Sequence, residues 1–194
     1  MDSVWNQPCQ VPKWVRGPKE EVSINWGRGH EKPLKALSLG NTVGTGPNGV
    51  EGEVIEVFGL DTLELLGSIL KNKIVFFNRP MDPRRLSTGH AYGEAVDQRV
   101  HGAARASKYG AQAVLVRSVT TLHDDLPHTG VQSYVDGIKP IPSLAISTND
   151  ANHLGDILQS ERVKAKIKNS PETVSYTHLR SPRDGLLSRM PSSA

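Results

Sequence analysis

The chain has 194 residues, enough for one ordinary domain with flanking segments and tight for two. Hydrophobic residues make up 37% of it and charged residues 22%, the balance of a globular protein rather than of a disordered chain or a coiled coil. No run of about 18 apolar residues occurs, so no membrane-spanning helix is expected. The formal charge of +3 is gathered on no segment, and Arg180, Arg183 and Arg189 near the C-terminus supply much of it, which argues against a nucleic-acid surface.

The start, Met1-Asp2-Ser3-Val4-Trp5-Asn6, has neither the basic nor the apolar region of a secretory leader. The protein is therefore read either as cytosolic or as beginning upstream of Met1. Cys9, the lone cysteine, has no internal disulfide partner and is expected to be an inert thiol.

Residues 1–36 alternate turn-forming and strand-forming pieces, punctuated by Pro8, Pro12, Gly17-Pro18 and Gly27-Arg28-Gly29, and predict antiparallel strands. Trp5, Trp14 and Trp26 all fall here, so large apolar surfaces need a packing partner. The glycine-rich segment 40–49 leads into a strand at Glu53 to Val57. A phosphate-cradling loop needs a helix after it, so this one reads as a surface turn.

Asp61 is placed to cap a short helix through Leu70, with Leu63, Leu66 and Leu70 at helical spacing. Residues 73–78, Lys-Ile-Val-Phe-Phe-Asn, suit a strand covered on both faces. The pattern predicts a helix over 93–109, with Val96, Val100, Ala103 and Ser107 on its core face, Asp97, Arg99 and Arg105 pointing elsewhere, and Gly110 as its stop. Buried strands follow at 113–117 and 141–146, separated by a polar loop over 118–139. Thr148 then caps a helix carrying Ala151, Leu154 and Leu158, and Val163 to Ile167 alternates as an edge strand with one wet face does. The fold class is thus α/β, of mixed α+β type: a mixed sheet or open barrel flanked by two to three helices.

Residues 174–194 show no periodicity of either kind. They resemble the conceptual translation of a transposase-type sequencing adapter read into its primer, so the segment is set apart as non-native and the natural reading frame is expected to have been cut there.

His123, Asp124, Asp125 and His128 are the one group of metal-ligating residue types close in sequence. Two histidines five apart share neither a helix face nor a strand face, so the alternative is a set of polar loop residues or a capping pair. No Gly-x-Ser-x-Gly elbow supports a hydrolytic triad. His101 and His153 sit on predicted helices and read as structural. The loop over 118–141 exceeds ordinary connections and is a candidate binding or lid segment, with padding as the competing reading.

The order Pro127-His128-Thr129-Gly130-Val131-Gln132, Tyr134, Asp136-Gly137, Ile141-Pro142 and Ile146 resembles the protease-associated domain of the carboxypeptidase Q-like zinc exopeptidases, metallopeptidase family twenty-eight. Supporting matches are 11–17, where relatives commonly carry His in place of Lys13, and the stretches 73–80, 102–111 and 116–119. The similarity covers nearly all of residues 2–173.

The resemblance implies that 1–36 is part of an interrupted catalytic domain, that 37–160 is the protease-associated domain inserted into it, and that 161–173 returns towards it. It implies a secreted or periplasmic parent hydrolysing dipeptides or short peptides through a hydroxide bridging two zinc ions, with a glutamate as base. The zinc ligands and that base follow the insertion in such enzymes. No catalytic and no metal-binding residue is therefore expected in this chain, and the missing catalytic domain is its partner in cis. His128, Thr129 and Tyr134 are the candidates for approach to the peptide. The alternative is a free-standing peptide-binding module with no enzymatic activity.

Overall fold

The computed structural model of the protein describes residues 10–176. Trp5, Cys9, the N-terminal start and residues 177–194 lie outside the described residues. Ten strands and three α-helices follow in the order β1 (Val11–Val15), β2 (Glu21–Trp26), β3 (His30–Pro33), β4 (Ala36–Ser38), β5 (Val50–Val57), α1 (Leu60–Leu66), β6 (Ile74–Phe77), α2 (Thr88–Lys108), β7 (Ala113–Arg117), β8 (Ser143–Ile146), α3 (Thr148–Leu158), β9 (Val163–Lys168) and β10 (Glu172–Tyr176).

Eight strands form one mixed sheet in the order β3-β2-β9-β5-β6-β7-β8-β4. The centre, β5 to β8, is parallel, and β2, β3, β9 and β4 pair antiparallel to their neighbours. Flat, the two outer strands would stand about 34 Å apart, seven spacings of roughly 4.8 Å. Yet β3 ends at Pro33 and β4 begins at Ala36, and three residue steps reach at most about 11 Å. The sheet must therefore curl until its ends approach. The mixed α+β architecture expected from the sequence is the one found.

Side-chain alternation sorts the sheet's residues into two cores. Ile74 and Phe76 join Val22, Ile24, Leu115, Leu144, Ile146, Ala165 and Ile167 on the side that α3 closes with Ala151 and Leu154. Val75 and Phe77 face the other way, with Val57, Val114, Val116 and Ala145, beneath Leu63 of α1 and Ala103 and Ala106 of α2. A strand covered on both faces needs an uninterrupted apolar run, and all four residues of β6 are buried.

Several elements differ from their sequence expectation. The alternation of β9 is real, with Val163, Ala165 and Ile167 buried and the lysines between them exposed, but β9 is no edge: it pairs with β2 on one side and β5 on the other. Asp61 does not cap α1. Gly59 precedes the helix, Asp61 sits in its first turn, and the helix tightens into a 3-10 turn at Gly67–Leu70. Helix α2 begins five residues earlier than expected, where the Ser87 side chain accepts a hydrogen bond from the His90 N–H. Ser147, not Thr148, caps α3 through the Asp150 N–H, at 3.1 Å.

Strands β1 and β10 form a separate two-stranded antiparallel ribbon, pairing Val11 with Tyr176 and Val15 with Glu172. Val174, Ser175 and Tyr176, the first residues of the segment set apart in the sequence, thus lie within a strand. The ribbon is tied to the barrel by the Trp14 indole N–H, which donates to the Thr42 carbonyl at 3.0 Å, and by Arg16, which donates to the Ser38 carbonyl at 3.1 Å. Trp26, at the end of β2, packs against the core with its ring stacked on His30 and edge-on to His153.

Candidate functional site

The parallel strands β5, β6 and β7 end together, and each end carries a polar group. Glu56 stands one residue before the end of β5, Asn78 follows β6, and Arg117 closes β7. The open carboxyl edge of parallel strands is where α/β folds present functional groups. Here the three are linked: the Asn78 amide donates to Glu56 at 2.6 Å, while Arg117 Nη1 donates to Asn78 Oδ1 at 3.2 Å and to Asn152 Oδ1 of α3 at 2.7 Å. Burial raises the Glu56 pKa, with Asp156 adding to the rise and the Asn78 hydrogen bond opposing it. Arg117 is only 6% exposed, and that burial lowers its pKa. It is a buried cation held by neutral amides. Asn78 and Arg117 are each the polar residue that ends an apolar strand run, a signal the sequence carries, whereas Glu56 lies within a strand of mixed character.

The loop over 118–141 leaves from this edge and is fastened along its length. The Asp124 N–H donates to Thr148 Oγ1 at 2.8 Å, the His128 N–H to Ser118 Oγ at 2.8 Å, and the Ser133 N–H to the Val100 carbonyl of α2 at 2.9 Å. Gly40 and Val131 form a bridge, with the Gly40 N–H donating to Gly130 and the Gln132 N–H to Gly40. With its backbone tied down, the loop presents Leu122, Leu126, Val131 and Val135 to solvent. A fixed backbone bearing outward apolar side chains is a preformed surface.

The three residues expected near a peptide lie on this loop in different settings. His128 borders an open hollow of about 360 Å³ with Met81, Thr88, Tyr92 and Thr121. The Thr129 carbonyl faces Arg99 of α2 at 3.5 Å. The Tyr134 hydroxyl is occupied, donating to the Ile141 carbonyl at 2.7 Å and accepting from the Val43 N–H at 3.1 Å. A second hollow, of about 470 Å³, lies between α2 and the far limb of the loop, lined by His101, Ala104, Arg105, Lys108, Val135 and Ile138.

The four residues of metal-ligating type do not converge. His128 Nε2 and Asp124 Oδ2 stand 3.7 Å apart, Asp125 accepts from Asn149, and His123 lies 3.5 Å from the Asn152 amide. Among the described residues, no three His, Cys, Asp or Glu side chains gather around a common point. Zinc needs three or four such donors at about 2.0–2.3 Å, so the four loop residues do not form a zinc site. No helix among the described residues is long and apolar enough to cross a membrane.

The residue that sequence reasoning missed is Arg99. Placed among the outward charges of α2, it is instead 7% exposed and turned into the domain beneath the loop. Its spacing aligns it with the buried Ala95, Gly102, Ala103 and Ala106, but an arginine at such a position reads as a surface residue until the loop that covers it is known.

No family model matches the chain. Carboxypeptidase Q of Homo sapiens is 33% identical over 181 residues, 91% of this chain and 36% of that protein, and the Mus musculus protein is 36% identical over 151 residues, 78% and 30%. The chain thus spans about a third of the length of the curated relatives it matches. Among solved structures, a peptidase M28 precursor from Shewanella amazonensis aligns with TM-score 0.79 at 30% identity, covering 91% of this chain and 39% of that one. An aminopeptidase from Aneurinibacillus sp. strain AM-1, at TM-score 0.58 and 15% identity over 88% of this chain and 35% of its own, shares the fold. The chain is therefore homologous to about a third of carboxypeptidase Q and has the fold of the matching two fifths of a peptidase M28 precursor.

Proposed function

We propose that this chain is the non-catalytic, protease-associated part of a secreted or periplasmic zinc exopeptidase of the carboxypeptidase Q kind. The observation that carries this reading is the β1–β10 ribbon. Both ends of the barrel leave it side by side, Val15 opposite Glu172 and Trp14 opposite Thr173, and a domain inserted into another needs that geometry, because its host chain must resume near where it was interrupted. The relatives support it, being nearly three times as long as the stretch they share with this chain.

On this reading the peptidase body lies beyond the ribbon and holds the zinc, and the barrel supplies a wall beside the path of a dipeptide or short peptide. His128 and Thr129 face that path. Tyr134, with its hydroxyl bonded to two backbone groups, sets the far limb of the loop.

The test is a graft of residues 10–176 in place of the matching third of human carboxypeptidase Q. A wall without catalytic groups predicts that kcat for a dipeptide stays within a few-fold while KM shifts. A graft that folds and binds zinc yet has no measurable kcat would place catalytic groups in this third and overturn the proposal.

A further inference from the structure

We propose that Arg99 is the positioning residue of the candidate peptide-facing loop, a clasp that grips it from inside the domain and bears on Gly130. This deepens the reading above and rests on it for its functional meaning. The clasp itself is a property of this chain.

The guanidinium lies between helix and loop. On the helix side it donates to the Tyr92 hydroxyl, two helical turns earlier, with Cζ 5.4 Å from the Tyr92 ring centroid. On the loop side Nη1 is 3.5 Å from the Thr129 carbonyl, and the plane presses on the next residue: a Cβ built on Gly130 would stand 2.6 Å from both Cζ and Nε. A side chain at position 130 would force the guanidinium out of this place. The clasp sits at the point where the loop turns from His128 and Thr129 to the Gly40–Val131 bridge.

A surface arginine would be drawn to a carboxylate, and among the described residues Arg99 has no such partner; its contacts are a phenol, a carbonyl and a glycine backbone. Such an arrangement contributes little ion-pair energy. Its planar fork, wedged between an aromatic ring and a backbone, instead fixes an orientation that lysine cannot reproduce.

Amide hydrogen exchange followed by NMR on the full chain tests this, with Arg99→Met, Arg99→Lys and Gly130→Ala as variants. The reporters are Gly40, Gln132 and Ser133, whose N–H groups bond to Gly130, Gly40 and Val100, and the reference is Val114, bonded to Pro142 in the sheet. The expected result is exchange at least tenfold faster at the three reporters in every variant, with Val114 unchanged. The lysine variant should show no rescue, and the imidazole resonances of His128 should move while those of His101 and His153 stay.

Should Arg99→Met fail to fold, Gly130→Ala attacks the same contact from the loop side and carries the same prediction. Acceleration spread equally to Val114, full rescue by lysine, or no acceleration would each overturn the clasp. Dipeptide hydrolysis by the chain alone would overturn the proposed function and leave the clasp standing.

Discussion

Two glycines of α2 give the same substitution opposite signs. Gly93 is exposed, and a Cβ there meets nothing within 4 Å. Gly102 lies against β6, and its Cβ would fall 2.7 Å from Phe77 Cε2 and 3.1 Å from Cδ2 and Cζ. Phe77 is fully buried, so its ring has no free space to enter. Replacing a helix-interior glycine by alanine gains about 1 kcal/mol from backbone entropy, and overpacking a dense core costs about 1–3 kcal/mol. Gly93→Ala should therefore stabilise by about 1 kcal/mol, raising Tm by about 2–4 °C for a chain of this size. Gly102→Ala should destabilise by about 1–2 kcal/mol once the helix gain is subtracted from a clash near the upper end of that range. Because the helix contribution is common to both, the difference between the variants measures the contact with Phe77. Urea unfolding followed by far-UV circular dichroism gives both free energies, with unchanged m-values expected. If Gly102→Ala proved as stabilising as Gly93→Ala, the packing of α2 on β6 would be refuted.

Glu56 predicts a pH dependence. Its folded pKa is raised, mainly by burial, so the folded state binds the proton more tightly than the unfolded chain. That contribution is fully present below the unfolded carboxylate pKa, about 4.3, and is lost as pH rises through the folded value. Glu56→Gln should therefore gain on the wild type between pH 4 and pH 7 in thermal melts, whereas a wild type that gained with pH would show Arg117 outweighing burial. Tyr134→Phe removes a hydroxyl that serves both the buried Ile141 and the half-buried Val43, and stranding their backbone groups should cost about 1–3 kcal/mol. Equilibrium unfolding measures it, and a loss below about 0.5 kcal/mol would show that solvent replaces the hydroxyl freely.

The central strands were legible in the sequence because burial on both faces leaves nothing but apolar residues, as in Ile74-Val75-Phe76-Phe77. The alternation of β9 was also legible, but it reports one wet face and not a free edge: side chains point off the sheet, while the hydrogen-bond partners that make β9 internal lie in its plane. The strand at Glu172–Tyr176 was not legible beyond residue 173 because a ribbon strand takes its register from its partner, β1, and Glu172 to Ser175 are all exposed. Helix ends slipped where capping chemistry competes, Ser147 winning over the adjacent Thr148. Of the candidate site, the long loop and its histidines could be read along the chain. The Glu56-Asn78-Arg117-Asn152 layer and the Arg99 contact could not be read as units, since each joins residues distant in sequence that strand pairing and the docking of helix and loop bring together.

The central proposal is a separation of roles: the chain shapes and supports, and the metal chemistry belongs to a peptidase body beyond the ribbon. Calorimetric titration of the purified chain with zinc, with dipeptide hydrolysis followed in the same samples, tests it most directly. The account predicts no stoichiometric tight binding and no turnover above the protein-free rate. One or two equivalents of zinc bound with nanomolar affinity, accompanied by hydrolysis, would contradict it.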